Sequence, residues 1–591
     1  MSQILRALPR KFVSISWPVG LLVLLAVVVA SCSGSDEQAQ LIDPDAGGDE
    51  GGVTSDFLAP ETLAFAQEPI TLRVSVPNLP VATPYDLVET DSVQVLIADL
   101  LTDGLTRLNP ADGSVEGAIA ESWTTSPDGL TWRFELADTS FSDGSPVLAD
   151  DVVTSLTRVA LRGIESVSAP NLWPIVGWTD AGEFADEAAE SGEAAESGQA
   201  AQVDVPGIQA IGDDQVEITL SEPFAPLAEV LAGVSFGVLP ADAEDTTSVG
   251  SGVDFVLEEQ WADGMRFVGE QVIGEVSTIE IFLDPEFTML QAGETDLGVE
   301  VDGAEAADDL SGDLTVVDVQ RSATSYFALN ASIAPFNDPL IRQAIVHAVD
   351  SEALRELQFA DAALLRSFIP ERVAGGTDDA CGANCNLDVD QAITLVEASP
   401  NSDVAFTVDF IDVPAEQPVG AGEAETSTDG EVAVVSAEEQ MALAIVEDLQ
   451  AVGLAATAVG HAPEDYAAAA AAGELGIFRF GSVSTVLSAE ASIGLQFHSE
   501  GGDNITATSI DRVDELIDEA RLTEDADVRG ELYSDAERVL FAEAVVVPLV
   551  EFRHWLAFGE RLDSVGLEPD GSLDLTQIEF GMLESPLTED E

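Results

Sequence analysis

Alternation of apolar and polar positions picks out strands first. ITLRVSV (Ile70–Val76), TWRFEL (Thr131–Leu136), QVEITL (Gln215–Leu220) and TIEIFL (Thr278–Leu283) set apolar side chains at every second position, which predicts half-buried sheet strands. Elsewhere the period is helical. In DRVDELIDEA, Val513, Leu516, Ile517 and Ala520 recur at i, i+3, i+4 and i+7, and the next segment sets Val528, Leu532, Ala536 and Val539 on one face. EEQMALAIVEDLQAVG stacks Met441, Ile445, Leu449 and Val452, with Gly453 placed to end the helix. NDPLIRQAIVHAVD opens with Asn337 or Asp338 as cap and Pro339 in the first turn, and buries Leu340, Ala344 and Ala348. Strands and helices mix in no simple βαβα order, so the class is α/β or α+β with more than one lobe.

One apolar run has a different character. Val19 to Ala30 is almost purely apolar and follows the positive charges of Arg6, Arg10 and Lys11. Ser14, Ser16 and Pro18 break its upstream extension, so the uninterrupted core suits an export signal better than a bilayer span. Its exit, Val29-Ala30-Ser31-Cys32, resembles the bacterial lipobox, in which cleavage before a cysteine precedes lipid attachment. Residues 1–31 are therefore expected to be a lipoprotein signal peptide, with Cys32 as the lipid carrier. Residues 32–66, rich in Ser, Gly, Asp and Glu, read as a disordered acidic tether with too little apolar content to pack. The expected location is outside the cytoplasm, anchored by lipid to the bacterial cell membrane.

Composition changes the picture through charge. The 591 residues are 46% hydrophobic, as in globular proteins, but 110 acidic residues face 21 basic ones, a formal charge of −89. Such a chain repels nucleic acid, which removes that class of partner. The acidity reads as a self-repelling soluble surface before it reads as a cation receptor.

Candidate chemistry is sparse. Four histidines (His347, His461, His498, His554) include no i+3 or i+4 pair for a helical zinc site. No phosphate loop, dinucleotide fingerprint or nucleophile elbow stands in a suitable context. No catalytic residue, metal site or cofactor is assigned, and an enzyme is not expected. Asp143, Asp150 and Asp151 do not match a calcium loop, and Asp143-Gly144 reads as a turn before a helix burying Val152, Val153, Leu156 and Val159. Cys381 and Cys385 lie in a Gly/Asn/Asp loop without a nearby histidine, and in an exported chain a small disulfide suits them better than a metal. A tandem hexapeptide, EAAESGEAAESG (Glu187–Gly198), and the acidic run Pro414–Glu431 read as solvated insertions.

The stretch LTDGLTRLNPADGSVEGAIAESWTTSPDGLTWRFELADTSFSDGSPVLADDVVTSL (Leu101–Leu156) closely resembles the signature region of the family 5 extracellular solute-binding proteins. LQAGETDL (Leu290–Leu297), ALNASIAPFNDPLIRQAIVHAVDSEAL (Ala328–Leu354) and Val513–Phe552 resemble later segments of that family, in the same order. The resemblance implies an α/β, two-lobed periplasmic-binding-protein-like fold of class II type, with an extra subdomain, around a hinge. Residues 67–103, 203–320 and 553–591 would form the base of lobe 1, residues 104–202 its small subdomain, and residues 321–552 lobe 2. It further implies a monomeric, lipid-anchored receptor of an ABC importer that captures a small, peptide-like solute between the lobes and delivers it to membrane permease subunits. The alternative is a surface lipoprotein on the same scaffold that senses or docks a partner.

Peptide-binding relatives carry an acid in a G-W-x-x-D stretch that pairs with the peptide amino group. The corresponding stretch here, Gly476–Ser492, has Arg479, no aspartate, and Glu490 as the nearest acid downstream. Arg479 either clamps a carboxylate or phosphate or forms a structural ion pair. Phe480, Tyr326 and Trp173, with Phe478, are candidate cleft walls, although aromatics at strand positions also serve as core.

Overall fold

Two long antiparallel strands, Thr315–Leu329 and Val546–Phe558, form the spine of the fold. The computed structural model describes residues 70–581 except 81–91, 110–112, 164–165, 192–203, 244–248, 253–254, 274–275, 302–309, 311, 313, 413–435 and 568–572. The signal segment, Cys32 and the tether lie outside the described residues, as does most of both acidic insertions. Among the described residues no helix is long and apolar enough to cross a membrane.

The spine belongs to an eleven-stranded sheet. Near Phe558 it pairs with Leu297–Val301, and the ladder continues through Ile70–Val76, Val276–Leu283, Gly264–Ile273 and Phe255–Trp261. Near Leu329 it pairs instead with Ile477–Val483, followed by Phe406–Ile411 and Ala456–His461. The same two strands therefore serve two halves. Their register shifts between Gln320 and Thr324, opposite Arg553 and Glu551. A broken ladder in a pair of crossing strands is where bending is least opposed by hydrogen bonds.

Each half has its own apolar core. Leu72, Val74, Ile97, Ile281 and Phe558 pack in the first, and Ile341, Ile345, Met441, Ile445 and Val547 in the second. A further cluster fills a smaller unit built on the antiparallel sheet Ala120–Thr125, Thr131–Leu136, Gln215–Thr219 and Ile208–Ala210. That core runs on from Leu105 to Val238, so its packing extends past residue 202, the edge that the family resemblance implies for the small subdomain. The reason is pairing: strand Gln215–Thr219 lies in register against Thr131–Glu135 and closes the sheet.

The alternating segments all form strands, and helix Asp511–Arg521 buries Val513, Leu516, Ile517 and Ala520. Asp338 caps helix Pro339–Ala348 by accepting from Leu340 N–H, and Gly453 takes the left-handed conformation that ends its helix. Two faces differ from the periodic reading. Leu340 is only half-buried, because Ile341, Ile345 and Val346 take the core positions. Helix Ala526–Ala542 exposes Val528 and buries Arg529, Tyr533, Glu537 and Leu540, since its polar side chains find partners inside.

Candidate functional site

The small-sheet unit and the second half meet along a seam made by segments that are far apart in sequence. On one side stands the tight turn Ala169–Leu172, with Ser168 before it and Trp173 after it, together with segment 221–235. On the other side stand the loop after strand Ile477–Val483, the π-helical turn Glu490–Gly494, and the junction between helices Asp511–Arg521 and Ala526–Ala542. Val486 and Ala491 from the second half belong to the same apolar core as Phe224 and Phe236 of the small unit. Gly233 is in close contact here: a Cβ would meet the Val486 side chain at 3.0 Å.

Three hydroxyls converge across the seam. Thr485 Oγ1 lies 2.7 Å from Ser168 Oγ and 2.9 Å from Ser235 Oγ, and Ser235 donates to Ser168 at 3.1 Å. Ser235 also lines a small cavity with Thr102, Ser155, Arg158 and Arg162. In the G-W-x-x-D pattern counted from Gly481, the place of the acid falls on Thr485.

The charges at the seam are paired. Arg521 is joined to Glu490 at 2.7 Å, with both side chains almost wholly buried, and Tyr533 donates to the same carboxylate at 2.7 Å. Burial alone would lower the Arg521 guanidinium, but the Glu490 charge and hydrogen bond reverse this and hold it above its ordinary value. Arg521 also lies 5.3 Å over the Trp173 ring, and its carbonyl accepts from Ala225 N–H at 2.7 Å. Arg529 reaches across to Glu229 at 2.8 Å. Glu222, at the rim, has its carboxyl raised by desolvation against the pull of Arg521.

Trp173 and Glu490 are thus brought together through Arg521. The other three candidates lie in the second half's sheet. Arg479 pairs with Glu438, Nε to Oε2 at 3.1 Å, and lies 5.5 Å over Phe359, so the guanidinium is engaged in an ion pair. Tyr326 is buried, donates to Gln496 at 3.0 Å, and packs against Phe368, Phe480 and Phe497. Its burial raises the phenol well above the ordinary value. Sequence reasoning missed Ser168, Ser235, Thr485, Asn171 and Arg521, whose association exists only in the folded chain.

Elsewhere, Cys381 and Cys385 are joined as a disulfide, Cα atoms 5.8 Å apart. Asp143 and Asp151 hold backbone N–H groups, of Ser145 and of Leu148 and Ala241. Among the described residues no group of three or more His, Cys, Asp or Glu side chains could hold a metal. His554 is buried beside Arg321, which together push it down to about 3 and keep it neutral.

The small unit and the second half thus meet at one seam, and the second half shares the register-shifted spine strands with the first. The model of the bacterial extracellular solute-binding proteins, family 5 Middle, matches residues 114–269 and 279–504. The chain belongs to this family. Its members bind solutes outside the cytoplasm.

Among this family 5 chain's curated relatives is a probable di/tripeptide-binding protein 5 of Pseudomonas aeruginosa (strain UCBPP-PA14), 27% identical over 340 residues. That match spans 52% of this chain and 60% of the relative. The probable D,D-dipeptide-binding periplasmic protein DdpA of Escherichia coli (strain K12) is 23% identical, over 77% of this chain and 83% of its own. Two solved structures share the fold at a TM-score of 0.67 and 18% identity, each over 87% of this chain: HbpA2 from Haemophilus parasuis, covered whole, and the murein tripeptide binding protein MppA in an unliganded open form, 98% covered.

Proposed function

We propose that this protein is a lipid-anchored substrate-binding protein of an ABC importer, which captures a small, peptide-like solute between two lobes and passes it to a membrane permease. Lobe 1 comprises residues 67–103, 203–320 and 553–591 with the small unit at 104–202, whose core continues to Val238, and lobe 2 comprises 321–552. The observation that carries the reading is the pair of antiparallel strands shared by both halves, whose register breaks between Gln320 and Thr324, together with the seam between the small unit and the second half. Closure of such a fold shifts an equilibrium only if the solute contacts both lobes. Trp173 and Glu490 lie at that seam, while Arg479, Phe480 and Tyr326 stand in the second lobe's sheet, Arg479 paired with Glu438 and Tyr326 packed in the core. The protein acts by binding and not by turnover. Lipid on Cys32 keeps it near its permease and raises its effective concentration there; Cys32→Ser should move it from the membrane fraction to the soluble one.

Native mass spectrometry of the purified full chain identifies the co-purifying solute, and small-angle scattering then measures its effect. A smaller radius of gyration on adding that solute supports the receptor. A chain that carries no solute and never closes would instead favour a sensing or docking lipoprotein.

A further inference from the structure

Among the described residues, seven buried side-chain polar atoms have no hydrogen-bond partner, and two of them, Asn171 Oδ1 and Trp173 Nε1, stand two positions apart in and just after the turn Ala169–Leu172, at the seam with lobe 2. A buried polar atom left unpaired costs stability, and two so close together need a reason.

Both groups are held in place. Asn171 is 4% exposed, and its Nδ2 donates to the Ser168 carbonyl at 3.1 Å, which leaves the side-chain oxygen as the open end of the amide. The Trp173 ring has Arg521 5.3 Å over its face and Phe224 edge-on at 6.4 Å, so the indole N–H has a set direction. Asn171 therefore offers an acceptor and Trp173 a donor, each held in place by its neighbours.

The surrounding charges select the partner. Arg521 lies on the ring face of Trp173 and opposes a second cation there, while Glu490 is already occupied by Arg521 and Tyr533. An ammonium would find no uncommitted carboxylate in this group. A carboxylate could accept from the indole but has no proton for Asn171. An uncharged amide has both a carbonyl and an N–H.

We infer that Asn171 and Trp173 form a subsite for an uncharged amide group of the ligand, its carbonyl accepting from Trp173 Nε1 and its N–H donating to Asn171 Oδ1. This rests on the receptor reading above. The subsite is reached when the lobes part and is covered when Thr485 and Arg521 return to the seam.

The test uses the full chain with N-acetyl-trialanine amide and with its analogues in which one amide N–H at a time is replaced by an ester oxygen. Wild type should bind one ester analogue about tenfold more weakly than the amide, the usual size for one lost neutral hydrogen bond. Asn171→Leu should bind amide and ester alike. Trp173→Phe, which keeps a ring under Arg521 and loses only the N–H and indole bulk, should weaken the amide probe while still distinguishing amide from ester. An amide-to-ester ratio unchanged in Asn171→Leu, or full affinity in Trp173→Phe, overturns the subsite, as a merely structural role or a buried water would predict. Failure of every trialanine probe while the co-purified solute still closes the lobes also overturns it and leaves the receptor standing. Absence of closure with any solute sinks the receptor reading itself.

Discussion

Glu490 and Glu537 are both buried carboxylates of the second lobe, 1% and 0% exposed, and they are held by opposite means. Glu490 has a cation: Arg521 at 2.7 Å, with Tyr533 adding a neutral donor. Glu537 has neutral donors at close range, the backbone N–H groups of Phe368 and Ile369 and the Ser367 hydroxyl at 2.9 Å. Desolvation outweighs those donors and pushes the Glu537 carboxyl up to about 7. Two acids in neighbouring elements thus differ in their partners: one is held by a guanidinium, and the other, held by neutral donors, takes up a proton near neutrality.

The largest expected effect comes from breaking the pair. Arg521→Met leaves the Glu490 charge buried beside Tyr533 alone and should cost roughly 3–5 kcal/mol in urea unfolding. Arg521→Met combined with Glu490→Leu removes both charges and should recover most of that loss, because apolar replacement of a buried pair is often neutral. A single variant losing under about 1 kcal/mol would show that the pair is wetter than its geometry indicates.

How far was this legible in the chain? The alternating segments and the Met441–Val452 face were plain, because each is decided within a few turns by local spacing. Helix Ala526–Ala542 differs from its periodic pattern because of buried polar pairs of the same kind. Periodicity seeks apolar residues, yet Arg529, Tyr533 and Glu537 are buried there with partners at Glu229, Glu490 and Phe368. The seam was less visible still. Ser168 and Thr485 are 317 positions apart, and nothing local in SVSAPNLW marks Asn171 or Ser168 as facing another lobe. Cys381 and Cys385, four positions apart, could be paired by eye because their loop is short.

A middle-sized effect reads Glu537 by pH. Glu537 binds its proton more tightly in the folded chain than the ordinary carboxyl at 4.5, so between 4.5 and about 7 the folded state holds a proton that the unfolded state has lost. Its contribution is therefore fully present below pH 4.5 and disappears as pH rises through 7, by about 3 kcal/mol at most. Glu537→Gln cannot titrate and still offers an oxygen to Phe368 and Ile369. Measured from pH 4 to 8, the stability of wild type relative to this variant should fall with pH; a constant difference would mean that Glu537 titrates as an ordinary acid.

The smallest effect asks whether Tyr533 matters while Arg521 is present. Tyr533→Phe removes the hydroxyl that donates to Glu490 Oε2, but Arg521 Nε still reaches that oxygen at 3.2 Å, so the acceptor is not orphaned. The expected loss is about 1.5 kcal/mol, the low end for a hydrogen bond to a charged group. In the Arg521→Met background the same change leaves a buried carboxylate without either Arg521 or Tyr533 as donor, and its cost should rise above that value. The two substitutions are thus expected to be more than additive, because they act on one acceptor. Strict additivity in a double-mutant cycle would mean that the hydroxyl and the guanidinium serve Glu490 independently, and the network would reduce to two separate contacts.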